Sequence, residues 1–147
     1  MRRASFLLSG IFLLLAMSST TSAQIETNLP ISNDGITIVG YEAYCPSNDE
    51  FNQEKLLLTL QNISPQMTKK VSWTVEVWLD NECVNCGNDK EYHYEFLLSP
   101  EESISGVCFD QNSFGLNYFI RFDDPETTIT NKVTKLFFKN VTVQNIP

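Results

Sequence analysis

The chain has 147 residues, with 18 acidic against 10 basic side chains and a formal net charge of −8. That balance argues against nucleic acid and against an anionic membrane surface as partners, since both would repel it.

The N-terminus reads as an export signal. Arg2 and Arg3 give a basic start, Phe6 to Met17 is apolar, and Ser18 to Ala23 is small and polar, as signal peptidase requires. The apolar run falls short of the ~20 residues that span a bilayer. No cysteine stands at the expected cut, and the spacing after Arg2-Arg3 does not suit twin-arginine export. Residues 1–23 are therefore expected to be a cleaved signal peptide, and 24–147 a single exported domain with no membrane span. Loss of the two arginines leaves eight basic against eighteen acidic residues, a net charge of −10.

From Gln24 to Gly35 the chain is a polar lead-in with an Asn33-Asp34-Gly35 turn. Period-two alternation then recurs and the helical period is nearly absent. Strands are expected at Ile36–Cys45 and Lys55–Gln61, the latter ending at the turn Asn62-Ile63-Ser64-Pro65. Val71–Leu79 alternates most clearly, with Val71, Trp73, Val75, Val77 and Leu79 on one face and Trp78 as an exception on the other. A polar loop containing Cys83 and Cys86 leads to Tyr92–Leu98. A hairpin of these two strands is expected to set Val77 against Tyr94, Val75 against Phe96 and Trp73 against Leu98, with Glu76 opposite Glu95. Further strands are expected at Ser103–Phe109, Leu116–Phe122 and Val133–Val143, the last bulged because Leu136-Phe137-Phe138 is apolar on both faces. About seven short strands separated by turns predict an all-β fold, a single antiparallel sandwich.

The segments Lys55–Asn62 and Val71–Asp80 resemble exported immunoglobulin-like domains of bacterial envelopes, such as the cell-adhesion-related domains. In that group a strand ends in asparagine at a turn and a long alternating strand follows. Leu98-Ser99-Pro100-Glu101-Glu102-Ser103 is similar to the group's turn before the next strand, with Glu101 standing where the group has glycine. The resemblance implies an immunoglobulin-like sandwich used for binding or as a spacer. It implies no catalytic residue, and the four cysteines are not part of its pattern.

Alternating strand directions place Cys45, Cys83, Cys86 and Cys108 at one end of such a sandwich. An exported chain with an even cysteine count is expected to form disulfides, with three connectivities open. The alternative is an envelope metal- or thiol-handling protein in which the four thiolates hold zinc, Cys83-Val84-Asn85-Cys86-Gly87 resembling one zinc knuckle. Redox catalysis by the Cys-x-x-Cys pair lacks the helix start that lowers a thiol pKa.

His93 is the one histidine, and without a nucleophile elbow it has no identifiable triad partners. Trp78, His93 and Leu97 fall on the outer face and form a candidate aromatic patch for a protein or carbohydrate. Asp49, Glu50, Glu54, Asp80, Glu82, Asp89, Glu91 and Asp110 make an acidic rim without the spacing of a calcium loop. Asn62 and Asn140 stand in glycosylation sequons. The expectation is an exported, non-catalytic binding or structural module needing no cofactor.

Overall fold

The computed structural model describes residues 25–29, 32–47, 52–88, 90–110, 113–123 and 132–147. The expected signal peptide lies outside the described residues. So do Asp49, Glu50 and Asp89 of the acidic rim.

The described residues form ten strands and no helix: β1 (Glu26–Thr27), β2 (Ser32–Asn33), β3 (Ile36–Cys45), β4 (Gln53–Asn62), β5 (Thr68–Leu79), β6 (Glu82–Cys83), β7 (His93–Leu98), β8 (Ser103–Ser105), β9 (Asn117–Phe122) and β10 (Val133–Ile146). They make two packed sheets. In the first, β1, β10 and β5 are neighbours, and β6 and β7 share the far edge of β5. In the second, β2, β3 and β4 are neighbours, and β8 and β9 share the far edge of β4. All pairings are antiparallel except the short one of β1 with β10.

The alternation read in the sequence locates the layers. Val71, Trp73 and Val75 of β5 pack with Leu136 and Phe138 of β10 against Leu56, Leu58 and Leu60 of β4 and Tyr118 and Ile120 of β9. Trp73 lies at the centre, its ring centroid 4.9 Å from Phe96 and 6.1 Å from Phe138. Its indole N–H donates to the Tyr118 hydroxyl at 3.1 Å, and that hydroxyl donates to the Gly115 carbonyl at 2.7 Å. One buried chain of hydrogen bonds thus joins both sheets to the segment before β9.

Two expectations are corrected. The Ser103–Phe109 strand stops at Ser105. The β5–β7 hairpin is displaced by four residues: Trp73 faces Tyr94, Val71 faces Phe96 and Ser72, not Glu76, faces Glu95. An even displacement keeps the same side chains inward, so the hydrophobic pattern does not select between the two registers. The selection is made by an unforeseen hairpin. Asp80 and Asn81, with φ of 48° and 69°, form a two-residue turn of the left-handed kind that suits the twist of a hairpin, and β6 returns along Leu79 and Trp78. That occupies the upper edge of β5 and moves β7 down. β10 is bulged, but on either side of Leu136-Phe137-Phe138, which pairs regularly with β5: the register shifts lie between Val133 and Lys135 and between Lys139 and Thr142, and Phe137 is apolar on the outer face because it packs against Trp78.

Asn62 is fully buried, its amide N–H groups facing the carbonyls of Met67, Leu98 and Ser99 at 2.8–3.2 Å. That removes it as a glycosylation acceptor in the folded chain; Asn140 is exposed.

Burial pushes the Tyr118 phenol far above the usual tyrosine range, against a smaller opposing effect of the Trp73 hydrogen bond. The folded protein therefore keeps a proton that the unfolded chain releases near pH 10. The associated stability is complete below about pH 10 and declines as pH rises beyond it. Urea unfolding at pH 7 and pH 11 should show this decline, and Tyr118→Phe should flatten it, leaving the part due to Tyr94, which burial also raises. At pH 7 the same variant should lose about 1–3 kcal/mol, because the Trp73 N–H is left unpaired.

Candidate functional site

β8 and β9 are two halves of one strand. Thr59 of β4 faces Ser105 and Leu57 faces Asn117, so the single residue Leu58 lies opposite everything from Gly106 to Leu116. Leu58 donates its N–H to the Leu116 carbonyl and accepts from the Gly106 N–H, both at 2.8 Å. The ladder thus continues across the base of an extruded loop, 107–115, of which residues 107–110 and 113–115 are described. The neck is tight: a Cβ on Gly106 would lie 2.0 Å from the Leu116 carbonyl oxygen. Gly115 is close-packed too, against the Tyr94 ring, and has a φ of 79°.

The loop folds back over the outer face of the second sheet. Cys108 is disulfide-bonded to Cys45 at the end of β3, with Cα atoms 5.4 Å apart. The Lys55 ammonium donates to the Cys108 carbonyl at 2.5 Å and lies 4.8 Å from the centroid of the Phe109 ring. Partial burial there pulls Lys55 below the usual lysine range. Asn117 Nδ2 donates to the Val107 carbonyl at 2.9 Å, and Ser113 Oγ donates to Asp110 at 3.2 Å. So anchored, the loop presents Val107, Phe109 (51% exposed) and Phe114 (73% exposed) to solvent. An open groove of about 310 Å³ runs between Phe109 and Phe114, with Gln53, Lys55, Asp110 and Asn117 as its polar walls. Exposed Val39 and Tyr41 stand on the same face of this sheet.

A larger groove, about 490 Å³, opens between β1 and the edge of β3, lined by Ile25, Leu29, Leu56 and Glu42. The Glu42 carboxylate there already accepts from the Ile25 N–H at 3.5 Å.

The expected aromatic patch is spread out. Trp78 faces Cys83, while His93 faces Thr74 and Leu97 faces Lys70, so the three occur at intervals of four residues along β5, about 13 Å each. Trp78 lies against Phe137 and under the Lys135 ammonium, and its indole N–H is buried without a partner among the described residues. Leu97 is exposed, and His93 Nδ1 lies 3.5 Å from the Thr74 hydroxyl.

The cysteines form two disulfides, Cys45–Cys108 and Cys83–Cys86. The four-thiolate zinc site considered as the alternative is therefore not assembled. Among the described residues, the only group of three or more metal-ligating residues with their ligand atoms within 4.8 Å of one another is Glu76, Cys83 and Cys86. In the acidic rim, Glu54 is held by a two-pronged pair with Arg121, both contacts at 2.7 Å. Alternation does not single out Phe109 and Phe114 as a surface; the signal for it in the sequence is the pair of glycines, Gly106 and Gly115, enclosing Cys108 and two phenylalanines.

Comparison with known proteins gives no relative: no family model, no curated protein and no solved structure matches the chain.

The Cys45–Cys108 bond closes a loop of 63 residues and the Cys83–Cys86 bond one of three. By loop-closure entropy the first contributes about 4 kcal/mol and the second less than about 2. Urea unfolding should accordingly show a large loss for the double variant Cys45→Ala/Cys108→Ala and a small one for Cys83→Ala/Cys86→Ala. Equal losses would mean that neither bond acts by restricting the unfolded chain.

Proposed function

We propose that this is an exported, non-catalytic binding module with an immunoglobulin-like arrangement, which recognises a protein partner through the 107–115 loop. The observation that carries the reading is the exposure of Phe109 and Phe114 on a loop held by a disulfide and a closed neck. Exposed aromatic side chains on a pre-formed support lose little conformational freedom on binding, and such residues dominate protein interfaces. Lys55, Asp110 and Asn117 beside them supply polar groups for orientation.

The disulfides are compatible with export, and no helix among the described residues is long and apolar enough to cross a membrane. The immunoglobulin-like reading is supported by the pairing of β5 with β10 on one side and β7 on the other, and of β4 with β3 and β8–β9. On the free edge of β10 stands β1, running parallel.

The double variant Phe109→Ser/Phe114→Ser tests the proposal. It should keep the wild-type far-ultraviolet circular dichroism and urea midpoint. It should lose the protein partners that immobilised wild-type protein captures from the envelope and extracellular fractions of its own source. Each aromatic that acts as an anchor accounts for about 2 kcal/mol, or about thirtyfold in Kd. Undiminished capture by the folded variant would sink the proposal. Binding confined to a glycan array would replace the protein partner with a carbohydrate.

A further inference from the structure

The second disulfide stands on the other sheet and does not depend on the binding loop. Glu76 and Trp78 point to the outer face of β5, and β6 returns to set Cys83 opposite Trp78. From Cys83 the chain is fastened to β5 by its own amides. Val84 N–H donates to the Val77 carbonyl at 3.0 Å. Asn85 accepts from Val77 N–H and donates to the Val75 carbonyl, both at 2.7 Å. Asn85 is buried, so its side chain occupies the edge of β5 where a strand residue would otherwise sit. These bonds position residues 83–86 without relying on the disulfide. Beside the two sulfurs lies the Glu76 carboxylate, with one ligand atom from each of the three residues inside 4.8 Å.

We propose that reduction of the Cys83–Cys86 bond opens a site for a thiophilic divalent cation, ligated by the two thiolates and the Glu76 carboxylate. A dithiol transfers two electrons and two protons to the disulfide and is itself oxidised to a disulfide, leaving two thiols on this chain. The cation then displaces the two thiol protons to solvent. Tetrahedral coordination at a Zn–S distance of about 2.3 Å sets the sulfurs about 3.8 Å apart, within the span the backbone already holds. Two thiolates beside a carboxylate repel one another, and a divalent cation turns that repulsion into attraction. The charges close as well: three negative ligands and a divalent ion leave −1, which the Lys139 ammonium, paired with Glu76, neutralises. A carboxylate has several lone-pair sites, so the lysine does not exhaust it. Cys86 is exposed, which leaves the fourth position open to water or an exchanging ligand. The mixed sulfur and oxygen set suits zinc.

Exposure separates the two disulfides. Cys45 has no accessible surface and Cys108 is half-buried, whereas Cys83 is half-buried and Cys86 is open to a reductant. Limited reduction therefore favours the Cys83–Cys86 bond, and the oxidised protein has no thiolate to offer.

The test uses the purified full-length chain, treated with limiting dithiothreitol and desalted without oxygen. Alkylation and peptide mass spectrometry should find new thiols at Cys83 and Cys86 with Cys45–Cys108 intact. Cobalt(II) titration should then give thiolate-to-cobalt charge-transfer absorption at one ion per chain, displaced by zinc, and absent from the oxidised protein. Glu76→Gln should weaken cobalt binding by at least about tenfold, and Cys86→Ser should abolish the charge-transfer band. Cys45→Ala/Cys108→Ala should retain it, provided its circular dichroism is that of the folded chain. No cobalt bound by reduced, folded protein would overturn the proposal. So would binding that survives Cys86→Ser, and undiminished affinity in folded Glu76→Gln would remove the carboxylate from the site.

Discussion

The two hydrogen bonds of Leu58 are the constraint on which the presented surface depends. They join Gly106 and Leu116 across a single residue of β4, so the strand made of β8 and β9 stays in register while the segment between them leaves the sheet. A loop emitted this way does not splay its strand, because both lips remain in the ladder. The neck needs glycine at 106, since any side chain there would collide with the Leu116 backbone. The outgoing arm of the loop is fixed by other means, the Cys45–Cys108 bond and the Lys55 contact to Cys108. Below the neck, the Trp73–Tyr118–Gly115 chain ties the returning segment into the core. Three unlike interactions therefore converge on one loop.

Asparagine amides satisfy backbone groups where the strands give out. Asn85 bonds to Val75 and Val77 on the edge of β5 between β6 and β7. Asn28, just past β1, both donates to the Phe138 carbonyl at 3.1 Å and accepts from the Phe138 N–H at 2.7 Å on the edge of β10. Asn62 serves the turn carbonyls below the core. A primary amide carries the same donor and acceptor as a peptide unit, so each of these replaces a missing strand residue at little cost in chain ordering. This leaves less of the backbone open to unwanted pairing with other chains.

Much of the framework is legible from alternation alone. β3 has the bounds the sequence suggests, and β4, β5, β7 and β10 differ from the expected spans only at their ends. What was not legible depends on contacts distant in sequence. The register of β7 is invisible to a period-two pattern, because a displacement of four changes no residue's face. The break after Ser105 follows from a close approach to Leu116, which Gly106 alone does not specify. Four cysteines leave three connectivities open, and the direct route, Cys45 with Cys108, follows only from the fold of the loop across β4 toward β3. Alternation makes Phe109 the last residue of a strand and does not single out Phe114, for the same reason: only the loop's departure from the sheet exposes them.

The binding surface proposed above requires residues 107–110 and 113–115 to be a rigid, pre-formed platform. Backbone 15N relaxation of the oxidised protein measures this residue by residue. Order parameters of about 0.85 are expected for Val107, Cys108, Phe109 and Ser113–Gly115, matching β4 and β9. Values below about 0.6 at these positions, with β4 and β9 remaining rigid, would contradict it.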